Sequence, residues 1–196
     1  MPFVVRRYHP SDLPALYRIC RATAGDATET LDDDLPGQQY LGAYLAFEPR
    51  LAFVASSDGE PIGYIVGTAD TAAFAARCET DWYPLLRERH PLPADDDASP
   101  DAGFVRALHA GVGVEPISAS HPAHLHINLL PVGRGGGVGR RLVERFTLEL
   151  DRLGTGGVHL VVGASNAPAI SFYERLGFRE VAAGDGTAVY ARRLAG

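Results

Sequence analysis

Apolar and polar positions change period repeatedly along the chain, and each change marks an element. Phe3–His9 alternates as a short strand. Ser11 or Asp12 then offers an N-cap, Pro14 falls in the first turn, and Leu13, Leu16, Tyr17 and Cys20 make one helical stripe. A polar acidic loop, Asp26–Asp34, leads to a second helix after Pro36-Gly37. Its buried face is Tyr40, Leu41, Tyr44 and Leu45, and Pro49 ends it. Leu51–Ser56 and Pro61–Ala69 read as strands separated by Asp58-Gly59, a dipeptide suited to a tight hairpin. Thr71–His90 is helical in part, Pro91–Gly103 is a Pro/Asp loop, and Phe104–His109 is a further short helix. Ala123–Leu130 returns to strand. Val138, Leu142, Phe146, Leu150 and Leu153 form the stripe of a long helix that Gly154–Gly157 stops. Val158–Val162 is a buried strand. Asn166–Leu176 is a helix with Pro168 in its first turn and Gly177 as its C-cap. Phe178–Ala183 and Thr187–Arg192 close the chain as a hairpin around Gly184-Asp185-Gly186.

The order β-α-α-β-β, insertion, β-α-β-α-β-β predicts a mixed α/β domain. At 196 residues the chain suits one domain, 1–196, enlarged by an insertion at about 71–120. Such an insertion reads as a binding element or lid, with Trp82 near the acceptor end of the site. Apolar residues make up 46% and charged residues 21%, enough for a packed core and against wholesale disorder. The net charge of −6 argues against nucleic acid and mildly favours approach of a cationic partner such as an amine. Cys20 and Cys78 sit in no CxxC and beside no histidine, so they read as reduced packing residues. The amino terminus has no apolar signal core, and no apolar run approaches the roughly 18 residues that span a membrane. A cytoplasmic monomer or homodimer is expected, with no membrane partner.

The most informative segment is Leu129-Leu130-Pro131-Val132-Gly133-Arg134-Gly135-Gly136-Gly137-Val138-Gly139-Arg140. It lies between a strand and a helix, where glycines can aim free backbone N–H groups at an anion on the helix N-terminus. A P-loop would need Lys-Ser/Thr after its last glycine, and Arg140-Arg141 stands there instead. The dinucleotide pattern GxGxxG fits at no offset. Arg134, Gly137 and Gly139 do fit Arg/Gln-x-x-Gly-x-Gly/Ala, the pyrophosphate loop of acetyl-CoA-dependent enzymes of the GNAT type.

Asn128–Gly139 thus resembles GNAT motif A, including Pro131 three residues ahead of Arg134. Asn166, Ala169, Tyr173, Gly177 and Phe178 are similar to the family's motif B, N-x-x-A-x-x-x-Y-x-x-x-G-F. The two motifs occur in the family's order and cover roughly residues 124–178. A weaker similarity is to the acetyltransferase-like domain associated with O-GlcNAc hydrolases and its bacterial relatives. It rests on Asp81-Trp82-Tyr83-Pro84 with Leu85–Pro91, and on the strand His124–Pro131. The resemblance implies a mostly antiparallel central sheet flanked by helices, with strands splayed at the cofactor site. It also implies acetyl-CoA as co-substrate, its pyrophosphate on the N–H groups of Gly135, Gly136, Gly137, Val138, Gly139 and Arg140, with Arg134 as a positive contact. Leu129 and Leu130 would pair with the pantetheine arm, and Asn166 would touch the cofactor.

The implied reaction is transfer of an acetyl group to a primary amine of a small molecule or a peptide. A lysine-like amine of pKa about 10.4 is neutral only about one part in 2,500 at pH 7, a penalty of roughly 4–5 kcal/mol, so a base is useful. His124, His126 and Asn128 share one face of a regular strand, which offers two imidazoles. Asn128 stands where some relatives carry an acidic residue, and an amide cannot act as a base. The two histidines could also suggest a metal, but no third ligand is near in sequence. Tyr173 holds the position of the family's general acid, which protonates the leaving thiolate; locally it would simply pack with Ile170 and Leu176. Tyr17, Tyr40, Tyr44 and the insertion would shape the acceptor site. The alternative is a module that binds acetyl-CoA without turnover.

Overall fold

The computed structural model describes residues 2–23, 31–184 and 186–194. Residues 26–30 of the expected acidic loop and Asp185 of the terminal turn lie outside the described residues. In chain order the elements are β1 (Val4–Arg7), α1 (Leu13–Thr23), α2 (Leu35–Tyr40), α3 (Gly42–Phe47), β2 (Phe53–Ser57), β3 (Glu60–Thr68), α4 (Thr71–Asp81), α5 (Tyr83–Arg89) and α6 (Ala102–Ala110). They continue with β4 (Ala123–Leu129), α7 (Val138–Arg152), β5 (Gly157–Gly163), α8 (Ala167–Arg175), β6 (Arg179–Gly184) and β7 (Thr187–Arg193).

The strands form one seven-stranded open sheet in the order β1-β2-β3-β4-β5-β7-β6. Every neighbouring pair is antiparallel except β4 with β5, which is parallel. Strand alternation sends the two faces into two cores. Phe53, Ile65, Leu125, Leu160 and Tyr190 pack under α7 and α8, while Val54, Tyr64 and Val66 pack under α1 to α6. The α7 stripe is buried at Leu142, Phe146 and Leu150, each worth about 1.5–3 kcal/mol against exposure. Leu153, expected on that stripe, is the helix C-cap and is 44% exposed. Buried Glu149 is held by Arg7 (2.9 Å), Arg50 (3.3 Å) and Arg152 (3.2 Å), which fastens the end of α7 to β1.

Two local expectations are corrected. Neither Ser11 nor Asp12 caps α1: His9 caps a short 3-10 turn there, and Asp12 pairs with Arg6 at 2.7 Å. The single helix expected over Tyr40–Leu45 is two, broken at Leu41 (φ −135°, ψ −49°). The break lets Gly37 sit against the Tyr17 ring and Gly42 against Trp82 and Tyr17, where a Cβ would come within 2.4 and 2.5 Å. The 71–120 segment, by contrast, is helical in part and looped between residues 90 and 101, as expected. Pro84 in the first turn of α5 forces a break at Trp82, and α4, α5 and α6 join the second core through Phe74, Leu86 and Leu108.

Candidate active site

β4 and β5 pair only at Ala123–Val158 and His124–His159. Past those residues β4 stays bonded to β3 as far as Leu129 opposite Gly63, and β5 stays bonded to β7 as far as Gly163 opposite Thr187. The strands therefore part, and each presents one unpaired edge to the gap. Such an edge can accept an extended amide chain as an added strand. On the α1–α6 side, a cavity of about 160 Å³ opens beside the gap, lined by Gln39, Tyr40, Tyr44, Tyr83, Glu115 and His126 among others.

The glycine-rich turn follows directly from β4. Leu130 N–H is committed to Ile62 O (3.0 Å) and its carbonyl accepts Gly133 N–H (2.9 Å), so only Leu129 of the expected pair lies on the open strand. Gly135, Gly136 and Gly137 have φ of 77°, 51° and 82°. An L side chain would cost about 1–2 kcal/mol at each. The Arg141 N–H, bonded to Gly137 O at 3.0 Å, is the first in α7 with an acceptor from the turn. Gly135 to Arg140 thus present N–H groups at the positive end of the α7 dipole. A Cβ built at residues 135, 136 or 137 meets nothing within 4 Å, so the concave side is open. Gly139 differs: its Cβ would lie 3.1 Å from Phe172 and 3.2 Å from Leu129, so here glycine allows α7 to approach both. A hollow of about 700 Å³ adjoins the turn, with Arg140, Arg141 and Arg145 on its α7 wall. Arg134 is exposed, its Nε 3.4 Å from Leu129 O, and Arg140 pairs with Glu144 at 2.7 Å. Free N–H groups, a helix N-terminus and nearby guanidinium groups are the donors a pyrophosphate requires.

On β4, His124, His126 and Asn128 do face the same side. His124 Nε2 lies 2.6 Å from Tyr44 Oη, and its Nδ1 lies 2.8 Å from Thr71 Oγ1. Thr71 Oγ1 donates to Pro122 O at 2.7 Å, and His126 Nε2 lies 3.1 Å from the same Tyr44 Oη. Burial pushes the His124 pKa well below its ordinary value, with further lowering from His126 and His159. Burial alone takes His126 down to about 4. Burial also holds the Tyr44 phenol well above 10. All three groups are neutral at pH 7. Asn128 Nδ2 donates to Thr23 Oγ1, farther along the strand. Among the described residues, no three His, Cys, Asp or Glu side chains gather to hold a metal ion.

Tyr173 lies on the opposite face, in the α7–α8 core beside Phe178 and Phe172. Burial raises its pKa to about 12, and its hydroxyl bonds to no described residue. Asn166 is exposed and caps α8, its Oδ1 accepting Ala169 N–H at 3.2 Å. Of the expected acceptor tyrosines, Tyr40 and Tyr44 line the cavity, whereas Tyr17 packs under Gly37. Trp82 is set back from the cavity wall, its indole N–H donating to Gln38 O at 3.0 Å. Gln39, Thr71, Glu115 and His159 at this site carried no sequence signal.

The sequence profile of the acetyltransferase (GNAT) family matches residues 13–178. The chain belongs to the GNAT family. This is a family of acyl-CoA-dependent transferases that use acetyl-CoA and take amine acceptors. Protein O-GlcNAcase of Rattus norvegicus is 24% identical over 190 residues, 94% of this chain but 21% of that protein. The chain thus spans about a fifth of that relative's length. Mycothiol acetyltransferase of Pseudarthrobacter chlorophenolicus is 32% identical over 123 residues, 57% of this chain and 33% of the relative. Among solved structures, SsHAT superposes with a TM-score of 0.91 at 37% identity over the whole of both chains. PaiA N-acetyltransferase of Thermoplasma acidophilum, solved with coenzyme A, shares the GNAT fold at a TM-score of 0.61 and 14% identity, over 98% of this chain and 99% of that one. No described helix is long and apolar enough to cross a membrane.

Proposed function

We propose that this protein transfers the acetyl group of acetyl-CoA to a primary amine, on a small molecule or a protein side chain. The supporting observation is that β4 carries an imidazole, His126, beside the parted strands and runs straight into a cradle of free N–H groups. Acetyl-CoA supplies a thioester whose acyl carbon the amine attacks and whose thiolate leaves. Gly135 to Arg140 would hold the pyrophosphate, with Arg134 as counter-charge, and the open edge of β4 up to Leu129 would pair with the amide-rich arm. Tyr173 and His126 lie on opposite faces of the sheet, so the gap between β4 and β5 would serve both: acid on the α8 side, base on the acceptor side.

His126 stays neutral down to about pH 4, so it is in its basic form at pH 7. It is too weak a base to strip a lysine-like ammonium whose pKa is about six units higher. Its proton comes instead from the nitrogen after the bond to the acyl carbon has formed, when that nitrogen is far more acidic. The acceptor must therefore arrive neutral. For an acceptor of pKa about 10.4, kcat/KM should rise about tenfold per pH unit from pH 6 to 9, without an inflection near 6.5. An inflection there would assign the base to a solvent-exposed histidine. His126→Ala should lower kcat by about 10²-fold at unchanged acetyl-CoA affinity. Polyamines, aminoglycosides, amino acids and lysine peptides form the acceptor panel. Tight acetyl-CoA binding with no transfer to any of them would replace this reading with a binding module.

A further inference from the structure

We infer that Thr71, His124 and Tyr44 are positioning residues that hold the proton of His126 on Nε2 and so leave its Nδ1 lone pair as the site's proton acceptor. The assignment follows from counting protons along one chain of contacts. Pro122 O has no proton, so the 2.7 Å contact with Thr71 Oγ1 must use the hydroxyl proton of Thr71. That hydroxyl has no second proton, so its 2.8 Å contact with His124 must be donated by Nδ1–H. His124 is buried and neutral, which leaves Nε2 bare. The 2.6 Å contact at Nε2 is then donated by the Tyr44 hydroxyl. Tyr44 is fully committed as a donor, so the 3.1 Å contact from His126 must be donated by His126 Nε2–H. Neutral His126 therefore carries its lone pair on Nδ1. That atom has no partner among the described residues and is not sealed from solvent, and its ring lines the cavity beside the parted strands.

The same count separates the two imidazoles that the sequence left equivalent. Both nitrogens of His124 are occupied, and its chain ends on a carbonyl that cannot take up a proton. His124 thus relays direction rather than protons, much as the orienting carboxylate of a catalytic triad sets an imidazole tautomer. Thr71 reaches this role because it opens α4 while its N–H (2.8 Å) and hydroxyl both bind Pro122 O, the residue just before β4. One threonine at a helix start thereby sets the polarity of a row of groups that runs across the strand to the cavity.

The inference rests on the acetyl-transfer reading only for its consequence, so its test reads the proton directly. Long-range proton–nitrogen correlation spectra of the ¹⁵N-histidine-labelled protein at pH 7 report which ring nitrogen is protonated. The expected result is Nδ1–H for His124 and Nε2–H for His126. Thr71→Val keeps the shape and the backbone bond but removes the hydroxyl; it should release His124 from the Nδ1–H form and the pattern at His126 with it. With an accepted amine, kcat should fall about 10–10²-fold at little change in KM for acetyl-CoA, and Thr71→Ser should restore both spectrum and rate. Tyr44→Phe should uncouple the two rings, leaving His124 as in wild type and His126 in mixed forms. Nδ1–H at wild-type His126, or a His126 tautomer unmoved by both Thr71→Val and Tyr44→Phe, would overturn the inference. The expected spectra in a protein that acetylates no amine would uphold the proton assignment and overturn the acetyl-transfer reading instead.

Discussion

Gly137→Glu should abolish acetyl-CoA binding, weakening it by at least 10²-fold, while the folded protein survives. Two effects act at this position and they can be separated. The φ of 82° places residue 137 in the left-handed region, where any L side chain costs about 1–2 kcal/mol. Nothing lies within 4 Å of a Cβ there, so the side chain meets no steric barrier from the protein itself. What it would meet is the pyrophosphate, if that group lies on the turn as proposed. A carboxylate held about 4 Å from a phosphate charge is repelled by about 4 kcal/mol at an effective dielectric of 20. Since 1.4 kcal/mol is a factor of ten in affinity, that repulsion alone exceeds 10²-fold. Gly137→Ala carries the backbone strain without the charge and should bind no more than about tenfold more weakly. A carboxylate at the start of α7 is itself favourable for the helix dipole, which helps to keep the glutamate variant folded. Calorimetry of wild type, Gly137→Ala and Gly137→Glu with acetyl-CoA checks the order. Equal affinities for wild type and Gly137→Glu would place the pyrophosphate away from both the glycine-rich turn and the adjoining hollow, which Gly137 also lines.

The parts of this fold that a sequence reading recovers are those governed by local period and local backbone chemistry. The alternation of β4 puts His124, His126 and Asn128 on one face, as expected of a regular strand. Asp58-Gly59 supplies two consecutive positive φ values, 51° and 89°, and so makes the tight β2–β3 turn. Gly177 at φ 84° ends α8 for the same reason. The errors lie where distant side chains decide. The break at Leu41 reflects Tyr17 and Trp82 lying against glycines, and neither contact leaves a trace in the period of residues 35–47. Thr71 looks like an ordinary first residue of a helix. Its partners Pro122 and His124 lie some fifty residues along the chain, and only the sheet brings them together. The two histidines were symmetric in the sequence because spacing sets a face. It takes the polarity of hydrogen bonds, down to a carbonyl oxygen, to make them different. Leu130 differs from Leu129 for a related reason: its N–H continues the β4 ladder to Ile62 and does not face the gap.

Tyr173→Phe should lower kcat by about 10²–10⁴-fold, the usual worth of a general acid, and leave acetyl-CoA affinity within about twofold. The change removes one oxygen and keeps the ring that packs against Phe172 and Phe178. The Tyr173 hydroxyl has no protein partner among the described residues, so its loss leaves no partner unsatisfied and the melting temperature should hardly move. The pKa, raised by burial to about 12, fits an acid that must keep its proton until the last moment. Against a thiol of ordinary pKa about 8.5, such a phenol would give up its proton uphill by roughly 5 kcal/mol. The burial that raises the phenol also raises the proton affinity of a thiolate formed beside it, because both anions are poorly solvated there. Transfer then becomes feasible only as the carbon–sulfur bond breaks, when negative charge appears next to the hydroxyl. The sign of the pH effect follows: a group protonated up to about pH 12 gives kcat no basic limb between pH 7 and 10. A wild-type rate that fell with an apparent pKa of 8–9 would point to another acid. Equal kcat for wild type and Tyr173→Phe, measured with the same accepted amine, would reduce Tyr173 to a packing residue of the α7–α8 core.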